Sequence, residues 1–469
     1  MGMVPKPQTT KDHILRGIGY FLIAAIVAVG TWLLVKFASG YQINPKTGEV
    51  YRVGLVLIET EPIRAQVWID GQDLHKRSPE QFSLPAGDHL LELKFDGYRD
   101  WSKEISLEES GVLWVNYAWL IPQELQPATV LTLDSTETIY PAHNNEEALV
   151  VDSKTAALSR VDLERSTIEV NEISLPADIQ ETLEDWKFRG VTWSGNNRHA
   201  LLRFVKSNST RHVLLDTRNP GRSVDINDQF QLDISNIQFK TDSGDELYAI
   251  AGGSLRLLDV GDNTVTGSLV KDVHSFESSA GQVTIVTNPD EEGLVKILNL
   301  VGNETDPTQL VESELETQQI KIANGVVENR RAVAVSDGDK VMMWQDVNQP
   351  LSREELRFNG AGRVDFSSGG RYLLVQDGGT FLTYDFELEQ IARFEIADVK
   401  KVKWLDDFHL GGLINNQAVI FEFDGENLVE LTTDEEASSM FIGSDFEFSY
   451  ALSQPVEDER FLYRTPLVN

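Results

Sequence analysis

The chain holds eight histidines in 469 residues, and no two stand at the His-x-x-x-His spacing that would put both rings on one helical face to share a metal. It has no cysteine, which removes thiolate nucleophiles, cysteine-ligated zinc, iron–sulfur clusters and any disulfide framework. Oxygen ligands are what remain. DVGDN (259–263), NPDEEG (288–293) and SDGDK (336–340) have a calcium-loop flavour. None completes the spaced carboxylates such a loop needs, and Asp-Gly is equally the signature of a tight turn between strands. There is no Gly-x-Ser-x-Gly elbow, and no P-loop or Gly-x-Gly-x-x-Gly follows a strand-like run. Acidic residues are too plentiful for any two to be singled out as an acid and base pair. No catalytic residue, cofactor or metal site is expected from these patterns. One binding constellation does stand out. Tyr98, Trp101, Trp114, Tyr117 and Trp119 fall within one short stretch and would form either a sugar-stacking platform or the core of a small β-domain.

The elements that must position such residues begin with charge. Forty-one Lys and Arg against 74 Asp and Glu leave a formal net charge of −33, which repels phosphate backbones and argues against nucleic acid as a partner. Gly17–Val35, GIGYFLIAAIVAVGTWLLV, carries no charge over 19 residues between Arg16 and Lys36. As a helix it spans roughly 28 Å, close to a bilayer's hydrocarbon thickness. Tyr20 and Trp32 sit near its ends, where aromatic belts form. FASG at 37–40 imitates a signal cleavage site, but the apolar run is longer than a signal peptide's. An uncleaved anchor is expected at 14–38, after a short cytoplasmic tail (1–13) and before a polar stalk (39–53). The basic residues on the two sides nearly balance, with a lean that leaves the N-terminus in the cytosol and the later domains outside.

From 54 to 122 the pattern is short alternating strands. QVWIDGQ (66–72) turns on Asp70-Gly71, and LPAGDHLLELKFDGYRDW (84–101) runs one alternating strand between turns at Gly87 and Gly97. About six strands in some seventy residues, with no helical period, read as a small β-sandwich. Pro62, Ala65, the Asp70-Gly71 turn, Ser78-Pro79, Leu84-x-Ala86-Gly87, His89 and Gly97-Tyr98-x-x-Trp101 together resemble the PEGA domain of bacterial and archaeal surface proteins. The tetrad that defines that family reads Pro62-Ile63-Arg64-Ala65 here, without its Glu and Gly. The arrangement of one N-terminal span before it and a Trp-rich exit strand after it is similar to membrane-anchored PEGA proteins of candidate-phylum bacteria. The resemblance implies association with a cell envelope.

Residues 128–469 repeat a strand–turn–strand–turn–strand unit. VTWSGNNRHALLRFVKSNSTRHVLLDT (191–217), NIQFKTDSGDELYAIAGGSLRLLDV (236–260), RVDFSSGGRYLLVQDGGTFLTYDF (363–386) and VKWLDDFHLGGLINNQAVIFEFD (402–424) are the strongest copies, and the third strand tends to end near Asp. Starts recur at about 40–50 residues, the spacing of propeller blades. Eight blades are expected, with seven as the alternative, because the first unit is weak and is followed by a helical insertion at 177–188. The last unit has only three strands, so ATVLTLDS (128–135) is expected to pair into it and close the ring. The repeats resemble WD40-like or quinoprotein-like propellers without the Gly-His and Trp-Asp dipeptides. The expected protein is therefore all-β after one transmembrane helix: a non-catalytic, membrane-tethered envelope binding or scaffold protein whose partner is an envelope protein or cell-wall glycan. The alternative is a propeller enzyme acting on glycans or small molecules in its central channel.

Overall fold

The computed structural model describes residues 10–38, 41–43, 50–164, 168–240, 244–360, 362–431 and 435–468. Most of the expected cytoplasmic tail (1–9) and much of the expected stalk (39–40, 44–49) lie outside the described residues. The chain divides into two compact units, Met1–Glu124 and Leu125–Asn469.

The first unit opens with helix α1 (Thr10–Ala38). Its described side chains are exposed on several sides, with Phe21 73% and Ile26 70% accessible. Among the described residues, no helix is long and apolar enough to cross a membrane. Eight strands follow: β1 (Tyr41–Ile43), β2 (Val50–Glu61), β3 (Gln66–Ile69), β4 (Gln72–Arg77), β5 (Glu80–Pro85), β6 (Gly87–Lys94), β7 (Trp101–Leu107) and β8 (Val112–Trp119). They form two sheets, one of β1, β2 and β5 with β8 added parallel to β2, the other ordered β4-β3-β6-β7. The period of two decides the layers. Alternate residues of β7 turn inward, Trp101, Ile105 and Leu107 among them. They meet Val56 and Val115 of the other sheet in one buried cluster, which makes the unit a sandwich. Lys103 also points inward, and its ammonium lies 5.2 Å from the Tyr117 ring centre, so a π-face receives the charge.

The turn at Pro62-Ile63-Arg64-Ala65 is pinned from the other side by Ser78. The N–H of Ala65 donates to Ser78 Oγ at 3.0 Å, and that of Arg64 donates to the Ser78 carbonyl at 2.8 Å. Arg64 holds φ at +76°, the left-handed region that costs a side-chain-bearing residue about 1–2 kcal/mol and glycine almost nothing. It occupies the place of the glycine in the tetrad this turn resembles. Arg64→Gly is therefore expected to raise the stability of this unit by up to about 1 kcal/mol after glycine's extra chain entropy is set against the relieved strain. Thermal unfolding checks it; an unchanged or lower midpoint would show the turn to be unstrained.

The described residues of the second unit form eight four-stranded antiparallel sheets, here numbered 1 to 8 in chain order. Seven of them use four consecutive strands. The central strands are buried on both faces, as in Gln282–Thr287 and Thr380–Asp385, because each sheet is covered by a neighbour on either side. That is why runs such as VTIV and TFLTY are continuous rather than alternating. Sheets 1 and 2 share a cluster joining Leu149 and Val151 to Ala200 and Leu202, into which helix α2 (Ala177–Leu183) sets Ile179 and Leu183. Sheets 5 and 6 share another around Ala334, Met343, Leu373 and Leu382.

The acidic residue ending the third strand has a physical cause. In sheet 2, Asp216 accepts from the backbone N–H of Arg218 (3.1 Å) and Asn219 (3.0 Å) while pairing with Arg198 at 2.7 Å. In sheet 6, Asp385 accepts from Glu387 (2.8 Å) and Leu388 (3.1 Å) while pairing with Arg371 at 2.9 Å. One carboxylate thus holds the turn to the fourth strand and ties it to the start of the second.

Sheet 8 supplies three strands of its own and is completed by β9 (Ala128–Asp134), which pairs antiparallel with Glu459–Pro466. Across the same joint, Leu133, Ile139 and Val150 pack with Phe441, Tyr450 and Leu462. The Tyr450 hydroxyl donates to the Leu163 carbonyl at 2.8 Å. Sheet 8 therefore packs on sheet 1, and the first and last strands of this β-propeller unit share one antiparallel sheet.

Candidate functional site

Each proposed or excluded site has a definite place in the structure. The three calcium-like stretches are turns whose aspartates serve the backbone. Asp290 Oδ1 accepts from Glu292 and Leu294, both at 2.9 Å, Asp337 Oδ1 from Asp339 and Lys340, and Asp259 Oδ1 from Asp262. Among the described residues no group of three or more histidines and carboxylates is placed to hold a metal ion.

The aromatic platform is not formed. Tyr98 and Trp101 are each 2% exposed, and both belong to the sandwich core. Trp119 is buried, and Tyr117 packs against the core, edge-on to Trp101 with ring centres 6.2 Å apart. Only Trp114 of the five is open, at 55%. A domain this small covers its core with large rings because aliphatic side chains alone leave too little buried area.

An opening lies in the second unit, along the first strands of several of its sheets. It is a cavity of about 960 Å³ lined from sheets 2, 3 and 4, with Arg331 of sheet 5 and His143 of sheet 1 at its margins. Strands Lys187–Trp193, Ile234–Phe239 and Val273–Ser279 set the wall. Neighbouring first strands are bound together by their own polar side chains. The Gln238 amide donates to the Phe276 carbonyl at 3.1 Å and its oxygen accepts from the Ser278 N–H at 2.7 Å. Asn324 donates to the Glu277 carbonyl at 2.8 Å, Arg363 donates to the Val402 carbonyl, and Lys401 donates to that of Ser438.

Residues 53–119 match the PEGA domain family. No curated protein matches the chain. Among solved structures, the β-propeller domain of Myceliophteria thermophila Cps50 (Swd1) is 10% identical with a TM-score of 0.42, covering 72% of this chain and 99% of that one. The Dos1 propeller is 10% identical at 0.45, covering 72% and 95%. An oligogalacturonate lyase in complex with manganese is 10% identical at 0.40, covering 72% and 98%. Similarity at this level brings no site or ligand across.

Glu277 is partly buried in the cavity wall, and loss of water pushes its carboxyl up to about 7. The Gln238 amide opposes the shift and the charge of Asp365 adds to it. His212 is held down at about 4 by burial and by the neighbouring Arg203 guanidinium, so it stands neutral. Further round, burial raises Asp365 against the opposing pull of Arg363, and burial alone lowers Lys403 to about 8. Arg203 and Arg331 line the cavity, and neither guanidinium makes an ion pair or side-chain hydrogen bond among the described residues. Sequence reasoning missed all of these. Their only signal is a charged residue within an otherwise apolar or small first strand, as in SFESS, RVDF and VKW.

Proposed function

We propose that this chain is a non-catalytic binding protein tethered to a cell membrane. In this reading the uncharged run Gly17–Val35 is the anchor, the PEGA-like module follows it outside the cell, and the second unit is an eight-bladed propeller that offers the cavity at its inner strands to an envelope protein or glycan. The observation that carries the reading is how the inner polar groups are used: Gln238, Asn324, Arg363 and Lys401 each bond to a neighbouring sheet's backbone. His143 bonds the Trp193 carbonyl at 3.0 Å, and the carboxyl of Glu277 meets the Gln238 amide at 3.5 Å. This is a wall built to be rigid, as a recognition surface must be. The uncharged run Gly17–Val35 and the exposed apolar side chains of α1 support the tether.

The test is co-sedimentation of the full-length chain, held in detergent micelles, with an insoluble bacterial envelope fraction. Pelleting that soluble wall sugars compete away is expected. A chain that stays in the supernatant at low salt would end the reading. Protease added to intact cells should remove everything after the anchor; protection would place the propeller in the cytosol instead.

A second reading, an enzyme acting in the channel, is favoured by Glu277 alone, since a carboxyl near neutrality can both give and take a proton. Turnover of envelope glycans lost in Glu277→Gln would establish it.

A further inference from the structure

We propose that the cavity of the second unit is a site for a small anionic, hydroxyl-rich molecule, of the sugar acid or sugar phosphate kind. This deepens the binding reading above and rests on it.

The argument begins from charge. In a chain with 74 acidic and 41 basic residues, a guanidinium should find a carboxylate easily. Arg198, Arg211 and Arg371 all do. Among the described residues Arg203 and Arg331 do not, and both line the same cavity from different sheets. Lys240 adds a third cation, held at 3.0 Å by Glu246 and at 2.7 Å by the Asn303 amide oxygen. Glu277 is the single carboxylate among the described lining residues. Burial raises its carboxyl to about 7, so among the described residues the wall supplies at most part of one counter-anion near neutral pH. His212 is neutral as well, chiefly because it is buried and in second place because Arg203 lies beside it.

Room is kept for one of the two cations. Gly281 has φ +69°, and a Cβ there would lie 2.9 Å from Arg331 Nη2. The residue at the turn is thus the one that leaves the guanidinium its position. Unpaired guanidinium groups in a recess recognise oxyanions by charge-assisted, often bidentate hydrogen bonds. The rest of the wall mixes hydroxyl and amide groups, from Ser235, Asn236 and Ser278, with apolar ones from Trp193, Ile237 and Phe239. Hydroxyls and amides beside ring and aliphatic surface suit a sugar, which has polar edges and an apolar face. The volume, about 960 Å³, lies at the upper end of small-ligand sites and admits a sugar of one or two rings.

The experiment is calorimetric titration of the full-length chain in detergent with glucuronate, with glucose 6-phosphate and with glucose. Either charged sugar is expected to bind at least tenfold more tightly than glucose, one guanidinium contact being worth about that factor. The stronger of the two identifies the oxyanion as carboxylate or phosphate. Arg203→Gln and Arg331→Gln should each weaken it about tenfold while leaving the circular dichroism spectrum and the unfolding midpoint unchanged. Equal binding of all three sugars, or charged-sugar affinity unmoved in both variants, would overturn the proposal. If neither charged sugar binds yet the wild-type chain still pellets with the envelope, the ligand class is wrong and the binding reading stands. If pelleting fails too, both fall.

Discussion

Gly370→Ala is expected to destabilise the propeller by about 4 kcal/mol, at the severe end of single substitutions. Gly370 closes the turn from the first to the second strand of sheet 6, its N–H donating to the Ser367 carbonyl at 2.9 Å. Two costs coincide there. The backbone stands at φ +79°, where a Cβ is strained by about 1–2 kcal/mol. The added carbon would also lie 1.8 Å from the Val326 carbonyl oxygen and 2.8 Å from its carbon. That obstacle is backbone, in the first strand of sheet 5, and it is locked opposite Arg331 in the register with the second strand. It cannot yield as a flexible side chain would without opening the joint between sheets. Gly378→Ala is the control: φ is +55° there, but nothing lies within 4 Å of the new carbon, so only the conformational cost of about 1 kcal/mol is expected. Denaturant midpoints of the two variants measure the difference. Equal midpoints would mean that sheets 5 and 6 are not packed as closely as this. Because Val326 pairs with Arg331, Gly370→Ala should disturb the cavity wall as well.

What could be read from the sequence follows from how far each signal reaches along the chain. The sandwich strands were legible because burial alternates within one strand, as in WSKEISL, and a turn such as Asp70-Gly71 marks its own ends. The propeller repeat was legible because Asp216 and Asp385 perform the same local task in different sheets. Helix α2 stops at Leu183, short of the expected 188, because Lys187 and Phe188 pair with Val205 and Phe204 as the first strand of sheet 2. Only tertiary pairing decides that boundary. The aromatic stretch misled for a related reason: Tyr98, Trp101, Trp114, Tyr117 and Trp119 are close in sequence, but the pleat and the turns send four of them toward the interior and one outward. The cavity was illegible altogether. Arg203, Glu277 and Arg331 come from three sheets, and no spacing along the chain relates them. Whether a first-strand charge faces a channel, a neighbour's carbonyl or an ion-pair partner depends on sheets that are distant in sequence.

The charge at Glu277 gives the second large effect. Its folded carboxyl titrates near 7 against an ordinary value of 4.5, so the folded state resists the ionisation that the unfolded chain undergoes freely. The sign follows from linkage. A raised carboxyl contributes its stability fully below the unfolded value and loses it as pH rises through about 7. Between pH 4 and pH 8 the wild-type propeller should therefore lose about 3 kcal/mol from this group. Glu277→Gln keeps an amide of nearly the same shape beside Gln238 and has no charge to desolvate, so it should forgo that loss. His212 works in the opposite direction: its lowered value, about 4, contributes stability that is present above its ordinary 6.5 and lost as pH falls toward 4. The two groups partly mask one another in the wild type. Their combination predicts a stability maximum between them that the variant lacks, its stability instead rising and then holding level toward pH 8. Urea unfolding of both proteins across that range isolates the Glu277 contribution as the difference between the curves, since His212, Asp365 and Lys403 are common to both. A difference that grows with pH through 7 means that the carboxyl is kept neutral at the cavity wall, which is the condition under which Arg203 and Arg331 are left to an outside anion. A difference that stays constant across the range would return Glu277 to water and remove that condition.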